Sequence, residues 1–307
     1  MYDLIIIGGG PAGITAGIYA ARQKIKTLLI TKNFGGQITK KTVPIENYPG
    51  FEEISGFDLI KKFENHLRKF KEHVEIKIEE VIRVEKQDNI FLVYTKNNIK
   101  FKSKTVIIAT GASPRVLDVL GEEEFTGKGV SSCAICDGAI FSGKDVAVVG
   151  GGNAGFETAL FLSNIANKIY ILEYGSYPKA DKENQEIIKK SKKTKIITNV
   201  QLKEIKGDKF VHSLVYEDRV SKKEKTLKVE GVFVEIGLIP AGLIAKDLVD
   251  FNNRNEIKVN SESYETKTPG LFAAGDVNEG KYKQIVISCG EGSKAFLGVF
   301  DYLKKHN

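Results

Sequence analysis

The stretch YDLIIIGGGPAG, at Tyr2–Gly13, returns in the second half of the chain as DVAVVGGGNAG, at Asp145–Gly155. Each copy has a run of apolar residues, typical of a buried parallel strand, that leads directly into a glycine loop. Helical sequence follows both loops, at Ile14–Gln23 and at Phe156–Ala166. The strand, loop and helix of a nucleotide-binding unit therefore occur twice. This duplication predicts an α/β protein with two doubly wound, Rossmann-like nucleotide-binding domains.

Both loops carry the Gly-x-Gly-x-x-Gly motif. Its first glycine makes the tight turn, its second lets the backbone approach a pyrophosphate, and its third lets helix and strand pack closely. The helix start then offers amide donors to the phosphates. The predicted phosphate-binding residues are Gly8, Gly10, Pro11, Ala12 and Gly13 in the first loop, and Gly150, Gly152, Asn153, Ala154 and Gly155 in the second.

The two units differ about 20 residues after the loop, where an acidic residue binds the ribose hydroxyls of NAD. Glu173 stands there in the second unit, directly after the predicted strand Lys168–Leu172, whereas the strand Thr27–Ile30 of the first unit has no acid after it. A site for NADPH favours Arg or Lys at this place, and Lys179 is the only nearby candidate. The second unit is therefore predicted to bind NADH rather than NADPH. An ordinary solvated carboxylate is the alternative for Glu173.

Two glycine- and proline-containing segments, Gly111–Pro114 and Gly237–Gly242, are predicted to be linkers. Near the end, Thr268–Asp276 reads as an apolar strand running into a Gly-Asp turn, and a helix is predicted from Ile285 to about Lys304. If that turn serves the first unit, the second domain is inserted into the first. The predicted domains are residues 1–113 with 245–307, and residues 114–244.

Composition restricts the remaining function classes. The formal net charge is +7, but the lysines are scattered apart from short stretches such as Lys189–Lys195, so we expect no nucleic-acid partner. No apolar segment approaches the roughly 20 residues of a spanning helix, and the first residues lack the basic region of a signal peptide. Three cysteines do not make a disulfide framework, so we expect a cytoplasmic protein without membrane association.

A Cys-x-x-Cys pair, Cys133 and Cys136, lies in SSCAICDG. Zinc needs four ligands, and only Cys289 and four scattered histidines remain, so we expect no metal. A redox pair fits the spacing, because a thiol placed this close can resolve a mixed disulfide within the chain. Cys289 itself is expected to be a small buried residue.

Further segments add to these motifs. They are, in chain order, GGGPAG, FGGQ (Phe34–Gln37), ENYPG (Glu46–Gly50), ATGASPR (Ala109–Arg115), CAICDG, GGGNAG, and AAGD followed by KYKQI. Together, and along essentially the whole chain, they resemble the low-molecular-weight thioredoxin reductase family.

The resemblance implies a homodimer with FAD on the first unit. The Gly8–Gly13 loop would lie at the pyrophosphate, Gln37 and Asn47 near the flavin, Asp276 on the ribityl chain, and Gln284–Ile285 at the pyrimidine edge. Other cofactor-binding positions implied in the same way are Gly35, Gly36, Val81, Thr110, Gly111, Gly237 and Gly275.

For the cysteines, the resemblance implies that Cys136 lies nearer the flavin, that Cys133 attacks the partner, and that Asp137 is the acid–base residue. A carboxyl group can supply the proton that each released thiolate needs. The alternative for Asp137 is a turn residue before Gly138. Lys128 matches a basic position used for carrier docking, or is a solvated lysine.

The chain departs from family members that use NADPH, which have a His-Arg-Arg cluster where Glu173–Gly175 stands and commonly Ala in place of Gly155. It is more similar there to the reductase half of the alkyl hydroperoxide reductase flavoprotein, which takes NADH. That flavoprotein has an additional N-terminal disulfide-relay module, and this chain starts at the first strand. We therefore expect electrons to pass to a thioredoxin- or glutaredoxin-like protein.

Three other functions stay open from sequence. The first is a related reductase fed by ferredoxin or another donor. The second is a ferredoxin–NAD(P) reductase-type flavoenzyme, which needs no cysteine pair. The third is a flavin-holding redox sensor without turnover.

Overall fold

The apolar run at the start of the chain forms the central strand of the first of two units. The computed structural model describes residues 1–40 and 44–306. Residues 1–113 and 239–307 make the first unit, and residues 114–238 make the second. The second unit is therefore inserted into the first.

The described residues of the first segment of the first unit form seven strands and two α-helices. They are β1 (Tyr2–Gly9), α1 (Pro11–Arg22), β2 (Thr27–Phe34), α2 (Gly56–Arg68), β3 (Val74–Ile78), β4 (Val81–Gln87), β5 (Ile90–Thr95), β6 (Lys100–Ile108) and β7 (Ala112–Pro114), with a 3₁₀ helix at Ile38–Lys40.

The inserted unit alternates strands and helices and then adds an antiparallel sheet. Its elements are β8 (Val130–Ser131), α3 (Ala134–Asp137), β9 (Asp145–Val149), α4 (Asn153–Leu162), β10 (Lys168–Leu172), α5 (Lys182–Lys190), β11 (Thr194–Ile197), β12 (Val200–Gly207), β13 (Val211–Asp218), β14 (Glu224–Lys228) and β15 (Gly231–Val234), with a 3₁₀ helix at Gly138–Phe141.

The chain then returns to the first unit. The returning elements are β16 (Leu238–Pro240), which pairs with β7, a 3₁₀ helix at Leu243–Ala245, β17 (Leu271–Ala273) and α6 (Ile285–His306).

The sheet of the first unit is parallel at its centre. Its order is β3-β2-β1-β6, with β17 parallel to the end of β6, and β5 and β4 continue antiparallel from the start of β6. In this register Ile7, the last apolar residue before the glycine loop, pairs with Ile30 and Ile108. The carboxyl ends of three parallel strands therefore meet at the loop, which is where open α/β sheets bind ligands.

Each face of this sheet has its own hydrophobic core. On one face α1 and α6 pack together, with Ile14 and Phe296 fully buried. The other face carries Phe91 and Val93 of β5 and the returning residues Ala245 and Ile257. The side chains of β1 alternate between the two cores, as a strand buried on both faces requires.

The second unit repeats this arrangement. Its parallel sheet has the order β11-β10-β9-β15-β8, and β12, β13 and β14 form an antiparallel sheet. The core on one face includes Phe156 of α4 and Ile188 of α5, and the core on the other includes Leu202 and Leu214 from the antiparallel strands. In both units, then, each face of the parallel sheet has its own core, and helices cover one of the two faces.

The predicted fold class is confirmed, with two α/β units of Rossmann type, one inserted into the other. The boundary predicted at 244/245 lies six residues after the division of the chain into two units at 238/239. The residues between these positions already belong to the first unit: the Ala241 amide donates to the Gly111 carbonyl at 3.0 Å, and a Cβ on Gly242 would lie 2.9 Å from Ile257.

Candidate functional site

The first glycine loop has a shape that only glycine allows. Gly8 has φ +118°, and a Cβ there would lie 2.1 Å from the Ala109 carbonyl oxygen. A Cβ on Gly13 would lie 1.9 Å from the Gly8 carbonyl oxygen, whereas one on Gly10 would have no protein atom within 4 Å. The first and third glycines thus serve close packing, and the second leaves open space beside the start of α1, whose first residues are Pro11 and Ala12.

The second loop reproduces these features. Gly150 has φ +122°, and a Cβ there would lie 2.3 Å from the Glu235 carbonyl oxygen. A Cβ on Gly155 would lie 1.9 Å from the Gly150 carbonyl oxygen, and one on Gly152 would meet nothing within 4 Å. Asn153 begins α4, followed by Ala154. Both loops therefore have the space and the amide donors that a pyrophosphate requires.

Glu173 is held against the second loop by its carboxylate. One carboxylate oxygen accepts the Gly151 amide at 2.7 Å, and the other accepts the Gly175 amide at 2.6 Å. In the first unit the equivalent position is Thr31, whose hydroxyl would lie 2.7 Å from a Cβ on Gly9 and donates to the Asn33 carbonyl. Backbone amides therefore fix the position of the Glu173 carboxylate at the loop.

The structure brings several predicted residues of the first unit together. The Gly35 amide donates to the Gly9 carbonyl at 2.9 Å, which places the Gly35–Gly36 turn at the first loop. The Gln37 amide group donates to the Ala112 carbonyl oxygen. Asn47 Nδ2 donates to Gln284 Oε1 at 3.2 Å, just before Ile285 begins α6.

The Gly-Asp turn of the first unit also lies at this loop. Gly275 has φ +79°, and a Cβ there would lie 3.1 Å from Ala12. Its amide donates at 2.7 Å to Glu291, a buried carboxyl of α6 that also accepts from Asn278 at 2.6 Å. Burial raises the pKa of Glu291. The sequence interpretation missed Glu291, which orients the turn that carries Asp276.

The remaining predicted positions lie at strand ends. Thr110 donates to the Ala241 carbonyl at 2.7 Å, and Gly111 follows with φ +69°. Val81 is the first residue of β4, directly after Glu80, which pairs with Lys32 of β2 at 2.8 Å. Gly237, with φ +103°, belongs to the second unit.

Cys133 and Cys136 form a disulfide, with their Cα atoms 5.3 Å apart. Cys133 caps the short helix α3, and the Cys136 amide donates to Cys133 Sγ at 3.2 Å. Both cysteines are half-buried. This amide would stabilise negative charge on Cys133 Sγ after reduction.

Asp137, which follows this disulfide in the chain, is hydrogen-bonded to a serine hydroxyl. Ser131 Oγ donates to Asp137 Oδ2 at 2.5 Å and accepts the Cys133 amide at 3.0 Å. One hydroxyl thus connects the carboxyl group to the backbone of the first cysteine. Ser131 belongs to the SSCAICDG segment, but the sequence alone did not indicate this role.

A second carboxyl group lies close to the glycine loop of the second unit. Glu235 follows β15, and Thr158 of α4 donates to Glu235 Oε1 at 2.7 Å. Burial raises the pKa of Glu235 to about 7, the Thr158 hydrogen bond opposes this, and the neighbouring Glu157 adds to it. This residue was also missed, because its sequence context VFVEIG reads as the end of an ordinary buried strand.

Cys289 and Lys128, which were also considered from sequence, differ in exposure. Cys289 is partly buried, its thiol lies 3.8 Å from the Tyr48 hydroxyl, and burial raises its pKa. Lys128 is exposed. In the described part of the chain no cluster of three or more His, Cys, Asp or Glu residues is arranged to hold a metal ion, and no helix is long and apolar enough to cross a membrane.

The presence of two glycine loops and a Cys-x-x-Cys disulfide agrees with the comparison to known families. A family model described as pyridine nucleotide-disulphide oxidoreductase matches residues 2–292. The chain belongs to this family. Within the pyridine nucleotide-disulphide oxidoreductases it is thioredoxin reductase-like, as the sequence motifs predicted.

Solved relatives cover nearly the entire chain. Thioredoxin reductase from Streptococcus pyogenes MGAS5005 is 37% identical with a TM-score of 0.92, and 99% of each chain is covered. Thioredoxin reductase from Giardia duodenalis is 33% identical with a TM-score of 0.93 and the same coverage.

Curated relatives include longer proteins. An NADH dehydrogenase of Bacillus subtilis (strain 168) is 42% identical over 302 residues, which are 98% of this chain and 58% of that protein. An alkyl hydroperoxide reductase component of Pseudomonas aeruginosa is 42% identical over 314 residues, again covering 98% and 58%. The chain thus spans less than two thirds of the length of these relatives.

Proposed function

We propose that the chain is an FAD-dependent disulfide reductase. It passes electrons from NADH, through FAD and the Cys133–Cys136 pair, to a disulfide of a thioredoxin- or glutaredoxin-like protein. The observation that carries this proposal is the preformed disulfide beside the Ser131–Asp137 hydrogen bond, in the same unit as a dinucleotide-type glycine loop.

The residues of the first unit fit FAD. The open space at Gly10 and the start of α1 suit a pyrophosphate, and the Gly275–Asp276 turn beside Ala12 suits a ribityl hydroxyl. Bound there, FAD would supply two-electron transfer between the nicotinamide and the disulfide. The homodimer expected for such enzymes is part of the same proposal.

The cysteines carry the second half of the reaction. Two electrons and two protons convert the disulfide to two thiols. Cys133, as the thiolate, attacks one sulfur of the carrier disulfide and releases the other carrier sulfur as a thiolate that takes a proton. Cys136 then attacks Cys133 Sγ, which restores the disulfide and releases the second carrier thiol. The Cys136 amide, 3.2 Å from Cys133 Sγ, supports Cys133 as the attacking thiolate.

Asp137 is proposed to hold the proton that these steps exchange. Its carboxyl group lies one residue after Cys136, and the Ser131 hydroxyl fixes its orientation. The preference for NADH rests on Glu173, whose two carboxylate oxygens are already oriented by backbone amides. The NADH dehydrogenase name of one relative agrees with this preference.

Steady-state oxidation of NADH and NADPH by the purified, flavin-loaded protein tests the proposal, with an aromatic disulfide and then thioredoxin or glutaredoxin as acceptor. Turnover with a carrier and NADH, lost in Cys133→Ser and in Cys136→Ser, is the expected result. Cys136→Ser should also form a stable mixed disulfide with the carrier through Cys133.

Other outcomes would replace the proposal. Turnover of a ferredoxin or an artificial acceptor that survives loss of both cysteines identifies a ferredoxin–NAD(P) reductase-type enzyme. Reduction of the flavin by NADH without any catalytic acceptor identifies a redox sensor.

A further inference from the structure

A guanidinium group lies beside the turn that follows Glu173, although no arginine occurs near it in sequence. It belongs to Arg219, at the hairpin between β13 and β14. Asp218 fixes this hairpin by accepting the Val220 and Ser221 amides at 3.1 Å and Lys225 Nζ at 2.8 Å. The hydrogen bond from Lys225 lowers the pKa of Asp218 to about 2, so the carboxylate keeps these contacts across the physiological range.

Backbone hydrogen bonds attach the hairpin to the turn. The Arg219 amide donates to the Asn199 carbonyl at 2.8 Å, and the Asn199 amide donates to the Gly175 carbonyl at 2.8 Å. Asn199, with φ +56°, connects β11 to β12. The turn after Glu173, the turn at Asn199 and the hairpin at Arg219 are therefore held side by side, although they are distant in sequence.

The side chain of Arg219 completes the contact. Its Nη1 donates to the Tyr174 carbonyl at 2.8 Å, and its guanidinium carbon lies 3.8 Å from the centroid of the Tyr174 ring. Stacking on the ring fixes the plane of the guanidinium. Among the ion pairs found within the described residues, none involves Arg219, so its charge stays available to an anion.

Glu173 and Arg219 thus provide opposite charges at one turn. The carboxylate of Glu173 is hydrogen-bonded to Gly151 and Gly175 and can still accept from ribose hydroxyls. A phosphate on the 2′-oxygen would be repelled by that carboxylate. A planar guanidinium is the group best suited to pair with a phosphate, through two parallel hydrogen bonds.

We propose that Arg219 is a specificity-determining residue of the second dinucleotide site. It pairs with the 2′-phosphate of a phosphorylated adenosine, and so limits the discrimination against NADPH that Glu173 sets. The inference rests on the proposed function, because it assumes that the nicotinamide coenzyme binds at the second loop.

Binding of two nucleotide fragments to the flavin-loaded full chain tests the inference without turnover. The fragments are adenosine 2′,5′-bisphosphate and ADP, measured by titration calorimetry. Replacing Arg219 by Gln should weaken binding of the 2′,5′-bisphosphate at least tenfold and change binding of ADP less than twofold. Arg219→Lys, which keeps the charge, should retain 2′,5′-bisphosphate affinity within about threefold of the parent.

The matched control is Tyr174→Leu, which removes the stacked ring and leaves the charge in place. It should reduce the affinity for the 2′,5′-bisphosphate less than Arg219→Gln does. The selective loss in Arg219→Gln should also shrink at high ionic strength, because salt screens a charge–phosphate contact.

Several results would overturn the inference. They are an equal loss of both fragments in Arg219→Gln, which would make the residue structural, no loss of either, or a parent chain that does not bind the 2′,5′-bisphosphate at all. In each case, normal ADP binding by the parent chain and reduction of its flavin by NADH would leave the proposed function intact. Loss of ADP binding and of reduction in the parent chain would remove both.

Discussion

The two glycine loops have almost the same backbone and different surroundings. Gly8 and Gly150 have φ values of +118° and +122°, and a Cβ on either third glycine would lie 1.9 Å from a carbonyl oxygen. The strand ends beside them differ. The position that Thr31 occupies at the first loop is Glu173 at the second.

A second difference concerns the strand on the other side of each loop. The carbonyl that packs against Gly8 belongs to Ala109, and the one that packs against Gly150 belongs to Glu235. The first loop therefore has no acidic side chain at either position, and the second has two. Under the proposed function, the glycines would hold the pyrophosphate, and the neighbouring strand ends would determine which dinucleotide is accepted.

Replacing the third glycine should have the largest effect. Gly13→Val and Gly155→Val each insert side-chain atoms against a backbone oxygen, and overpacking of this kind costs about 1–3 kcal/mol or more. Gly13→Val should purify without flavin. Gly155→Val should stay yellow but fail to be reduced by NADH. Absorbance at the flavin maximum per chain measures the first effect, and anaerobic titration with NADH measures the second. A yellow Gly13→Val protein would contradict the assignment of FAD to the first loop.

Replacing the middle glycine should separate binding from folding. No protein atom lies within 4 Å of a Cβ at Gly10 or Gly152, so Ala at either position should leave the melting temperature unchanged. The added methyl group would instead occupy the space meant for a pyrophosphate. We expect about tenfold weaker binding, of FAD in Gly10→Ala and of ADP-ribose in Gly152→Ala, which is about 1.4 kcal/mol. Equilibrium dialysis for FAD and calorimetry for ADP-ribose measure the two affinities. A loss of both ligands in either variant would show that the loops are not independent.

Replacing Glu173 by threonine, the residue at the equivalent position of the first loop, should alter coenzyme choice. Glu173→Thr should lower kcat/KM for NADH about tenfold, or about 1.4 kcal/mol, and raise the value for NADPH, because the carboxylate that repels the 2′-phosphate is removed. The parent chain should favour NADH at least tenfold. Thr31→Val is the matched control at the first loop and should leave both values and the flavin content unchanged. Equal use of the two coenzymes by the parent chain would contradict the role proposed for Glu173.

Replacing Glu235 should have an effect on stability that depends on pH. Because its pKa is raised to about 7 in the folded chain, the folded state holds a proton that the unfolded state has already lost. Its contribution to the free energy of unfolding therefore falls as pH rises from about 4.5 through 7, and the full penalty is present above that range. Glu235→Gln should stabilise the protein by about 1–3 kcal/mol at pH 8.5 and have little effect at low pH.

Thermal unfolding at pH 5 and pH 8.5 measures this difference. Glu157→Gln is the control, because Glu157 is exposed on α4, the helix that carries Thr158, and it should shift the melting temperature much less. An equal effect of Glu235→Gln at both pH values would show that burial does not control its protonation.

The sequence predicted the strands and helices that are determined by residues close together in the chain. Strand β10 has the bounds expected from its apolar run. The helices after the glycine loops begin three residues earlier than expected, at Pro11 and Asn153, because the loop residues themselves form the first helical turn. Proline is favoured at that position, and this signal was available in the sequence.

Contacts between distant segments could not be predicted in the same way. Thr158 and Glu235 are 77 positions apart, and Arg219 is 45 positions from Tyr174. Nothing in the residues around either partner indicates the other, because strand register and hairpin docking decide which residues come into contact. Ser131 was closer to detection, since it stands two residues before Cys133.

The discontinuity of the first unit has a consequence for synthesis on the ribosome. Every strand of the inserted unit finds its partners within residues 114–238, so that unit can complete its fold as soon as it has emerged. The first unit must wait, because β6 lacks β17 and α1 lacks α6 until residues 271–306 have been made. Residues such as Ile14 are thus exposed to solvent or to chaperones during that interval. We expect the nascent first unit, rather than the later-encoded inserted one, to be the part most prone to aggregate before release.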